Sequence, residues 1–505
     1  MEINTELILL IGSVLFIISM LVGKAGHRFG VPVLLLFLVV GMVFGRDGFG
    51  LPFENISFAR TIGTVCLSII LFSGGLDTRF SDIKSVIAPG VILATAGVFL
   101  TSFITGFFIW WLFGNMFTSI GVGLLTSMLL SSTTSSTDSA SVFGILRSKG
   151  VILRNNLKPL LELESGSNDP VAYMLTMAFI TIIQSGQEPD ILLTVIVILL
   201  QIAVGALVGY FSGKVAVRFI NRIRMENSSL YPILLFIIGI FIFSATYFLK
   251  GNGFLAVYIA GLAIGNSRFV HKRSSMKFMD GMAWMCQILL FLTLGLLANP
   301  LELIEVIIPA LLIAVFLIFV ARPVTVFLCL SPFLKKIKFR DQLFISWVGL
   351  RGAAPIIFAI FPLAYNVPNA RLIFNIVFVI TIVSLLVQGT SLPLVARWLG
   401  LADSPENHKK LEDFDVEFSE DIKSAMTEIL ISADTLAHGK NLIEMPLPDR
   451  TLVVMIKRDE QYFVPTGQTE LKVDDKLLVI TDDERALKET YRTIGISEYS
   501  YQKNK

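Results

Sequence analysis

Acidic, amide and hydroxyl side chains interrupt the apolar segment that opens LKPLLELESGSNDPVAY. Four of them are spaced i, i+1, i+4 and i+5, namely Glu164, Ser165, Asn168 and Asp169. On a helix this spacing places them within an arc of roughly 140°, so one face presents two carboxylates, a hydroxyl and an amide. Ionisable groups at bilayer depth cost about 2.5 to 3.5 kcal/mol each and usually mark an ion or proton pathway. The segment therefore predicts a site for a cation or a proton at Asp169.

A second polar run lies in the preceding apolar segment, LLTSMLLSSTTSSTDSASVFGIL. Eight of its nine residues from 131 to 139 are Ser or Thr, and the ninth is Asp138. Hydroxyls can bond the backbone groups that an unwound turn leaves free, so the pattern favours a discontinuous helix that lines a cavity, with Asp138 at the break. A helix interface held by small hydroxyls is the alternative, but it does not explain the carboxylate.

A third segment, LFISWVGLRGAAPIIFAIF, carries Arg351 inside an apolar run, beside Gly349 and Gly352. Pro355 has no N–H to bond the Arg351 carbonyl, so this helix is also predicted to unwind locally. Paired interrupted helices at matching positions in two halves of a chain are typical of transporter binding sites.

The guanidinium of Arg351 needs a carboxylate, because Arg stays protonated even when it is buried. We expect Glu164 to be that partner, which leaves Asp138 and Asp169 for transport. Arg322, in the run ARPVTVF, is a second candidate for a buried ion pair.

These polar residues stand in a chain of 505 residues that is 54% hydrophobic and only 16% charged. Such a composition excludes a secreted disulfide scaffold, a disordered chain and a purely cytosolic enzyme. About thirteen apolar segments precede residue 400, and the two predicted broken helices are the fifth and the twelfth. The predicted fold is an all-α polytopic membrane protein of about thirteen transmembrane helices, with inverted repeats and two discontinuous helices.

Basic residues are distributed unevenly between the loops. Loops after odd-numbered segments hold 20 Lys and Arg, and loops after even-numbered segments hold 4. Lys and Arg are retained on the cytoplasmic side of short loops. We therefore expect a protein of the cytoplasmic (inner) membrane with its N-terminus outside and its C-terminal region in the cytoplasm.

The chain changes character near residue 400. Residues 400–505 carry 14 basic and 22 acidic residues and no apolar run of spanning length. We predict a membrane domain at 1–399, a linker at 400–424, a small α+β domain at 425–497 and a tail at 498–505. The runs TLVVMIKRD, YFVPTG and KLLVITDD predict strands, with a turn at Asp459 and a closing helix.

The first 399 residues resemble the NhaP branch of the monovalent cation:proton antiporters. The motifs that carry the resemblance are Thr137-Asp138, the run from Glu164 to Pro170, and Gly349-Leu350-Arg351-Gly352. The resemblance implies a protomer of thirteen helices that forms homodimers in membrane lipid. One departure is Ser139, where relatives often have Pro or Ala.

The resemblance also implies a role for each site residue. Asp169 would bind the cation and the proton in turn, and Ser165, Asp138 and the Thr137 carbonyl or hydroxyl would help to coordinate the cation. Asn168 and Thr137 would steady the unwound helix, and Glu164 would pair with Arg351.

The cytosolic region resembles the C-terminal subdomain of RCK (TrkA) potassium-regulatory modules from about Met426, without their nucleotide-binding half. With this tail, the chain looks most like the CvrA-type potassium/proton antiporters, which favours K⁺ over Na⁺ as the transported ion. We expect no bound cofactor, no enzymatic activity and no nucleic-acid partner. A nucleotide or cyclic dinucleotide is a candidate regulatory ligand of the tail.

An antiporter mechanism follows if H⁺ and the metal ion occupy Asp169 in mutually exclusive fashion. Each ligand neutralises the site and lets it cross the membrane, whereas the empty charged site faces a barrier. Asn168 adds no titrating charge, so we expect electroneutral exchange. The alternative is a potassium channel or uniporter gated by the tail, but no TVGYG-type filter occurs in the chain. A non-transporting sensor would leave the buried acids unexplained.

Overall fold

The computed structural model describes residues 5–29, 32–51, 53–154, 157–186, 190–403, 425–431, 436, 440–445, 447, 451–459, 461–481 and 499–502. The chain divides into two compact units, Met1–Asp403 and Ser404–Lys505. Most of the predicted linker and the predicted closing helix of the second unit lie outside the described residues.

The first unit consists of helices. Its described residues form thirteen consecutive helical segments, two of them interrupted: α1 Thr5–Phe29, α2 Val33–Phe44, α3 Ile56–Asp77, α4 Ile87–Asn115, α5a Leu124–Thr133, α5b Ser139–Ser148, α6 Leu157–Ser185, α7 Ile191–Arg222, α8 Leu230–Phe248, α9 Gly253–Gly265, α10 Lys272–Leu297, α11 Ile307–Phe333, α12a Phe339–Trp347, α12b Ala353–Ala364 and α13 Ala370–Trp398. Short helices at Phe80–Ile83 and Pro300–Glu305 connect neighbouring segments.

Seven of these helices are long and apolar enough to cross a membrane: α3, α4, α7, α8, α10, α11 and α13. α7 is the most apolar of the seven and has the smallest share of its residues buried. Such an apolar, uncovered helix is suited to lipid or to a second membrane protein. The segment count and architecture confirm the predicted polytopic membrane fold.

Both predicted breaks are present, in the fifth and the twelfth segments. α5a ends at Thr133 and α5b begins at Ser139. Hydroxyls of α5a bond carbonyls three residues earlier, as Ser132 bonds Leu129 at 2.8 Å, and such bonds compete with the helical ladder. In α12b, Pro355 occupies the first turn, where a missing N–H costs no helical hydrogen bond.

Three of the long helices contain a π-helical turn, at Leu93–Gly97 in α4, Leu317–Ala321 in α11 and Leu385–Gly389 in α13. The extra residue in such a turn rotates the side chains that follow it, and π turns are frequent at functional sites. Arg322 directly follows the turn in α11, and the turn in α13 lies next to the break in α12.

The second unit is a small sheet packed on a separate apolar core. Its strands are β3 Ala425–Leu430, β4 Thr451–Arg458, β5 Gln461–Phe463, β6 Lys476–Thr481 and β7 Tyr499–Gln502. They form one antiparallel sheet in the order β5-β4-β6-β3-β7. β1 Ile152–Leu153 and β2 Ala402–Asp403 pair within the first unit.

The predicted strands near 451, 461 and 476 are therefore confirmed, and Asp459 has the positive φ of a turn residue, 46°. The last residues are not only a tail, because β7 pairs with β3. The run SEYSYQKNK does not by itself predict a strand, because the strand forms by pairing with β3, which lies far away in the sequence. Arg458 forms two hydrogen bonds with the buried Asp475 carboxylate, at 2.8 and 2.7 Å.

Candidate cation-binding site

The two interrupted helices meet at their breaks. The Asp138 N–H donates a hydrogen bond of 2.8 Å to the Leu350 carbonyl. In the opposite direction, the Arg351 guanidinium donates to the Ser136 carbonyl. The unwound residues of each helix thus satisfy backbone groups of the other, which is how irregular backbone is tolerated at membrane depth.

α6 supports the α5 break from the other side. Ser165 Oγ donates to the Thr137 carbonyl at 2.9 Å and accepts a hydrogen bond of 2.9 Å from the Ser139 N–H. Asn168 Nδ2 lies 2.6 Å from Thr137 Oγ1, to which it donates. Ser165, Asn168 and Thr137 are all buried. The polar face that the sequence predicts on α6 therefore contacts the unwound turn of α5.

The two carboxylates of the site are held differently. Asp138 is half-buried, and its oxygens accept hydrogen bonds from Ser141 N–H at 3.1 Å and Ser141 Oγ at 2.5 Å. Asp169 is buried, and its Oδ1 has no hydrogen-bond partner among the residues that the structure describes. An unsatisfied buried carboxylate oxygen requires an explanation, and a bound cation or proton supplies one.

The predicted ion pair between Glu164 and Arg351 is corrected by the structure. Arg322 Nη2 lies 2.6 Å from Glu164 Oε1, with the two side chains 5% and 2% exposed. Arg322 follows the π turn of α11, and the space beside Gly349 accommodates it, since a Cβ at that glycine would lie 3.0 Å from Arg322 Nε. Arg351 bonds the Ser136 carbonyl instead. Arg322, the second predicted candidate for a buried ion pair, is therefore the partner of Glu164.

Two residues of α13 that were not predicted from the sequence complete the support of the α12 break. Ser384 Oγ accepts a hydrogen bond of 2.9 Å from the Arg351 N–H and donates one of 2.6 Å to Gln388 Oε1. Gln388 Nε2 donates to the Trp347 carbonyl at 2.8 Å. This pair therefore holds both ends of the break. The available signal was an i, i+4 pair of polar residues in an apolar helix.

Gly352 allows the closest approach of the two breaks. A Cβ at this position would overlap the Asp138 carboxylate. We expect Gly352→Ala to displace Asp138 or the α12 break and to lower the exchange rate by about fivefold or more, since overpacking costs about 1–3 kcal/mol. Everted-vesicle transport assays would measure the loss.

The matched control is Gly144→Ala, because a Cβ at Gly144 would meet no atom within 4 Å. This variant should transport at the wild-type rate. Equal activity of the two alanine variants would contradict the importance of the close approach at Gly352.

The fold and the site define a class of membrane transporter. Residues 14–398 match the transmembrane domain of the sodium/hydrogen exchanger family, and residues 426–495 match the TrkA-C domain. The chain belongs to the sodium/hydrogen exchanger family. It is a multi-pass membrane antiporter of monovalent cations and protons, and it is not an enzyme.

Individual relatives agree with this assignment. The chain is 38% identical over 482 residues to the K(+)/H(+) antiporter NhaP of Alkalimonas amylolytica, covering 95% of this chain and 82% of the relative. It is 37% identical over 473 residues to the K(+)/H(+) antiporter NhaP2 of Shewanella oneidensis, covering 93% and 80%.

A solved structure shares the fold of the first unit. The sodium proton antiporter MjNhaP1 from Methanocaldococcus jannaschii at pH 8 is 23% identical, with a TM-score of 0.66, and the match covers 78% of this chain and 99% of that one. The family matches and the antiporter relatives confirm the predicted antiport activity and the TrkA-C resemblance of the tail, whereas the channel alternative has no support.

Proposed function

We propose that this protein exchanges K⁺ for H⁺ at Asp169 by alternating access, one cation for each proton. The observation that carries the proposal is the buried Asp169 carboxylate, whose Oδ1 is unpaired among the described residues. It lies on α6 directly after Asn168, which bonds the unwound turn of α5. K⁺ is favoured over Na⁺ because the relatives that align over most of the chain are named K(+)/H(+) antiporters.

Competition at one carboxylate couples the two ions. A proton on Asp169 neutralises the carboxylate, and so does a cation bound to it, but the two ligands occupy the same oxygens. The site without either ligand carries a negative charge whose transfer through a low-dielectric region is costly. Only the loaded states therefore change their access from one side of the membrane to the other. Asn168 cannot titrate, so the cycle moves no net charge.

The surrounding residues have separate roles in this proposal. Asp138, Ser165 and the Thr137 carbonyl or hydroxyl supply further oxygen ligands from the unwound turn and from α6. Asn168 holds that turn through Thr137 Oγ1. Glu164 and Arg322 fix α6 against α11, and Arg351 stabilises the α5 break through the Ser136 carbonyl.

A cation series tests the substrate assignment. In everted vesicles from cells that lack other antiporters, respiration acidifies the lumen, and an added transported cation releases the protons. We expect half-maximal dequenching of a pH dye at lower concentrations of K⁺ and Rb⁺ than of Na⁺ and Li⁺. A response to Na⁺ and Li⁺ alone would contradict the K⁺ assignment. A change in the signal of a membrane-potential dye during exchange would contradict electroneutrality.

The assembly and its location complete the proposal. The loop charges favour a cytoplasmic membrane location with the N-terminus outside and the TrkA-C domain in the cytoplasm. The uncovered apolar surface of α7 favours a homodimer in lipid. The TrkA-C domain would control transport by binding a small ligand, with a nucleotide or cyclic dinucleotide as the first compounds to screen for an effect on dye dequenching.

A further inference from the structure

Ser136 lies in the unwound turn of α5 and differs from the hydroxyl residues around it. The five preceding residues, Ser131 to Ser135, each donate a hydroxyl hydrogen bond to a carbonyl three positions earlier. Ser136 is 0% exposed, yet its Oγ has no hydrogen-bond partner within the described part of the chain. Burial of a hydroxyl without a partner is costly unless another group satisfies it.

The position of Ser136 is fixed by its backbone. Its carbonyl accepts a hydrogen bond from the Arg351 guanidinium, which is buried between the two breaks. Its hydroxyl lies beside the Asp169 carboxylate without a well-formed hydrogen bond to it. Asn168 Oδ1 is a further buried oxygen that no described residue bonds. Buried oxygens without a described partner thus come both from the α5 turn, at Ser136, and from α6, at Asn168 and Asp169.

We propose that Ser136 Oγ is a direct ligand of the transported cation, alongside the Asp169 carboxylate. A monovalent cation that leaves water must exchange its hydration shell for protein oxygens, and neutral oxygen dipoles serve this purpose in K⁺-selective sites. The hydroxyl supplies such an oxygen without adding charge, so one cation still replaces one proton. This inference rests on the proposed function, because it assumes that the cation binds at Asp169.

The test compares the apparent KM for K⁺ in everted vesicles. Ser136→Ala removes the ligand and should raise the KM for K⁺ about tenfold, with the maximal rate at saturating K⁺ within about twofold of wild type. Ser136→Thr keeps a hydroxyl at the same place and should restore most of the affinity. The control is Ser135→Ala, whose hydroxyl already bonds the Ser132 carbonyl at 2.7 Å, and this variant should keep the wild-type KM.

A binding measurement supports the kinetics. Equilibrium binding of radioactive Rb⁺ to the purified, full-length protein at alkaline pH should weaken in Ser136→Ala by the same factor as the KM. Size-exclusion profiles would show whether each variant is folded. If Ser136→Ala does not fold, Ser136→Cys replaces it, because a thiol is a poor ligand for a hard cation.

Three results would overturn the inference. They are an unchanged KM in Ser136→Ala, a fall in maximal rate alone, and equal effects of Ser136→Ala and Ser135→Ala. These results are distinct from failure of the proposed function, which would appear as persistent exchange in Asp169→Asn.

Discussion

Asp169→Asn stops coupled exchange, so that cation-driven proton release from everted vesicles falls at least about tenfold at every cation concentration. The amide has nearly the shape of the carboxylate but carries no charge and binds no proton near neutral pH. The cation loses a charged ligand in a buried site, and an interaction with a charged group contributes about 1.5–3 kcal/mol or more. Each loss of about 1.4 kcal/mol weakens binding tenfold. Coupling is lost as well, because the proposed mechanism assigns the exchanged proton to the Asp169 carboxylate.

Two further variants sharpen this prediction. Asp169→Glu keeps the carboxylate on a longer side chain and should retain slow exchange with an altered KM. Glu162→Gln removes an acid from the same helix, but from a position 29% exposed and 3.6 Å from Lys158, and should transport like wild type. Exchange that persists in Asp169→Asn, or fails equally in Glu162→Gln, would remove Asp169 from the mechanism.

Glu164→Gln produces the largest loss of stability that we expect from a single polar substitution in the first unit. It leaves the Arg322 guanidinium buried without its carboxylate, and breaking such a pair costs about 3–5 kcal/mol. Thermal denaturation of the detergent-purified protein, followed by size-exclusion chromatography, should show a much lower melting temperature. A reduced amount of folded protein in the membrane should accompany it.

A double variant separates charge imbalance from other effects. Glu164→Gln combined with Arg322→Gln removes both charges, and the melting temperature should recover most of the loss, since replacement of a whole buried pair is often close to neutral.

A surface ion pair provides the control. Arg46→Gln breaks the pair between Arg46 and Glu54, whose side chains are 64% and 71% exposed, respectively. Arg46→Gln should lower the free energy of unfolding by at most about 1 kcal/mol. Similar melting temperatures for Glu164→Gln and Arg46→Gln would contradict the buried pair.

Local patterns in the sequence were sufficient to predict the helices of the first unit and the breaks in two of them. Thirteen apolar segments are visible in the sequence because each spanning helix needs its own apolar stretch. The breaks in α5 and α12 were predictable because consecutive hydroxyls, glycines and prolines act on the backbone within a few residues. The spacing of Ser165, Asn168 and Asp169 placed them on one face of α6, which is the face that contacts the α5 turn.

Contacts between residues on different helices or strands were harder to predict from the sequence. Glu164 was predicted to pair with Arg351, and Arg322 was only a second candidate for a buried pair. Spacing along one helix does not determine the rotation of another. The π turn in α11 sets that rotation for Arg322, and Gly349 gives the space that the side chain fills. The strand β7 was missed for a related reason, because its pairing edge is formed by β3, more than sixty residues earlier.

By itself, the sequence of this protein determined the membrane fold, the two interrupted helices and the acidic residues that could exchange a cation for a proton. Only the tertiary structure decided which arginine neutralises Glu164 and that Ser384 and Gln388 hold the α12 break. It also decided that Ser136, unlike the five hydroxyl residues before it, has a buried hydroxyl with no partner among the described residues. The physical reason is that unwinding and burial follow from neighbouring residues, whereas ion pairs and ligand sets depend on how distant helices rotate and pack.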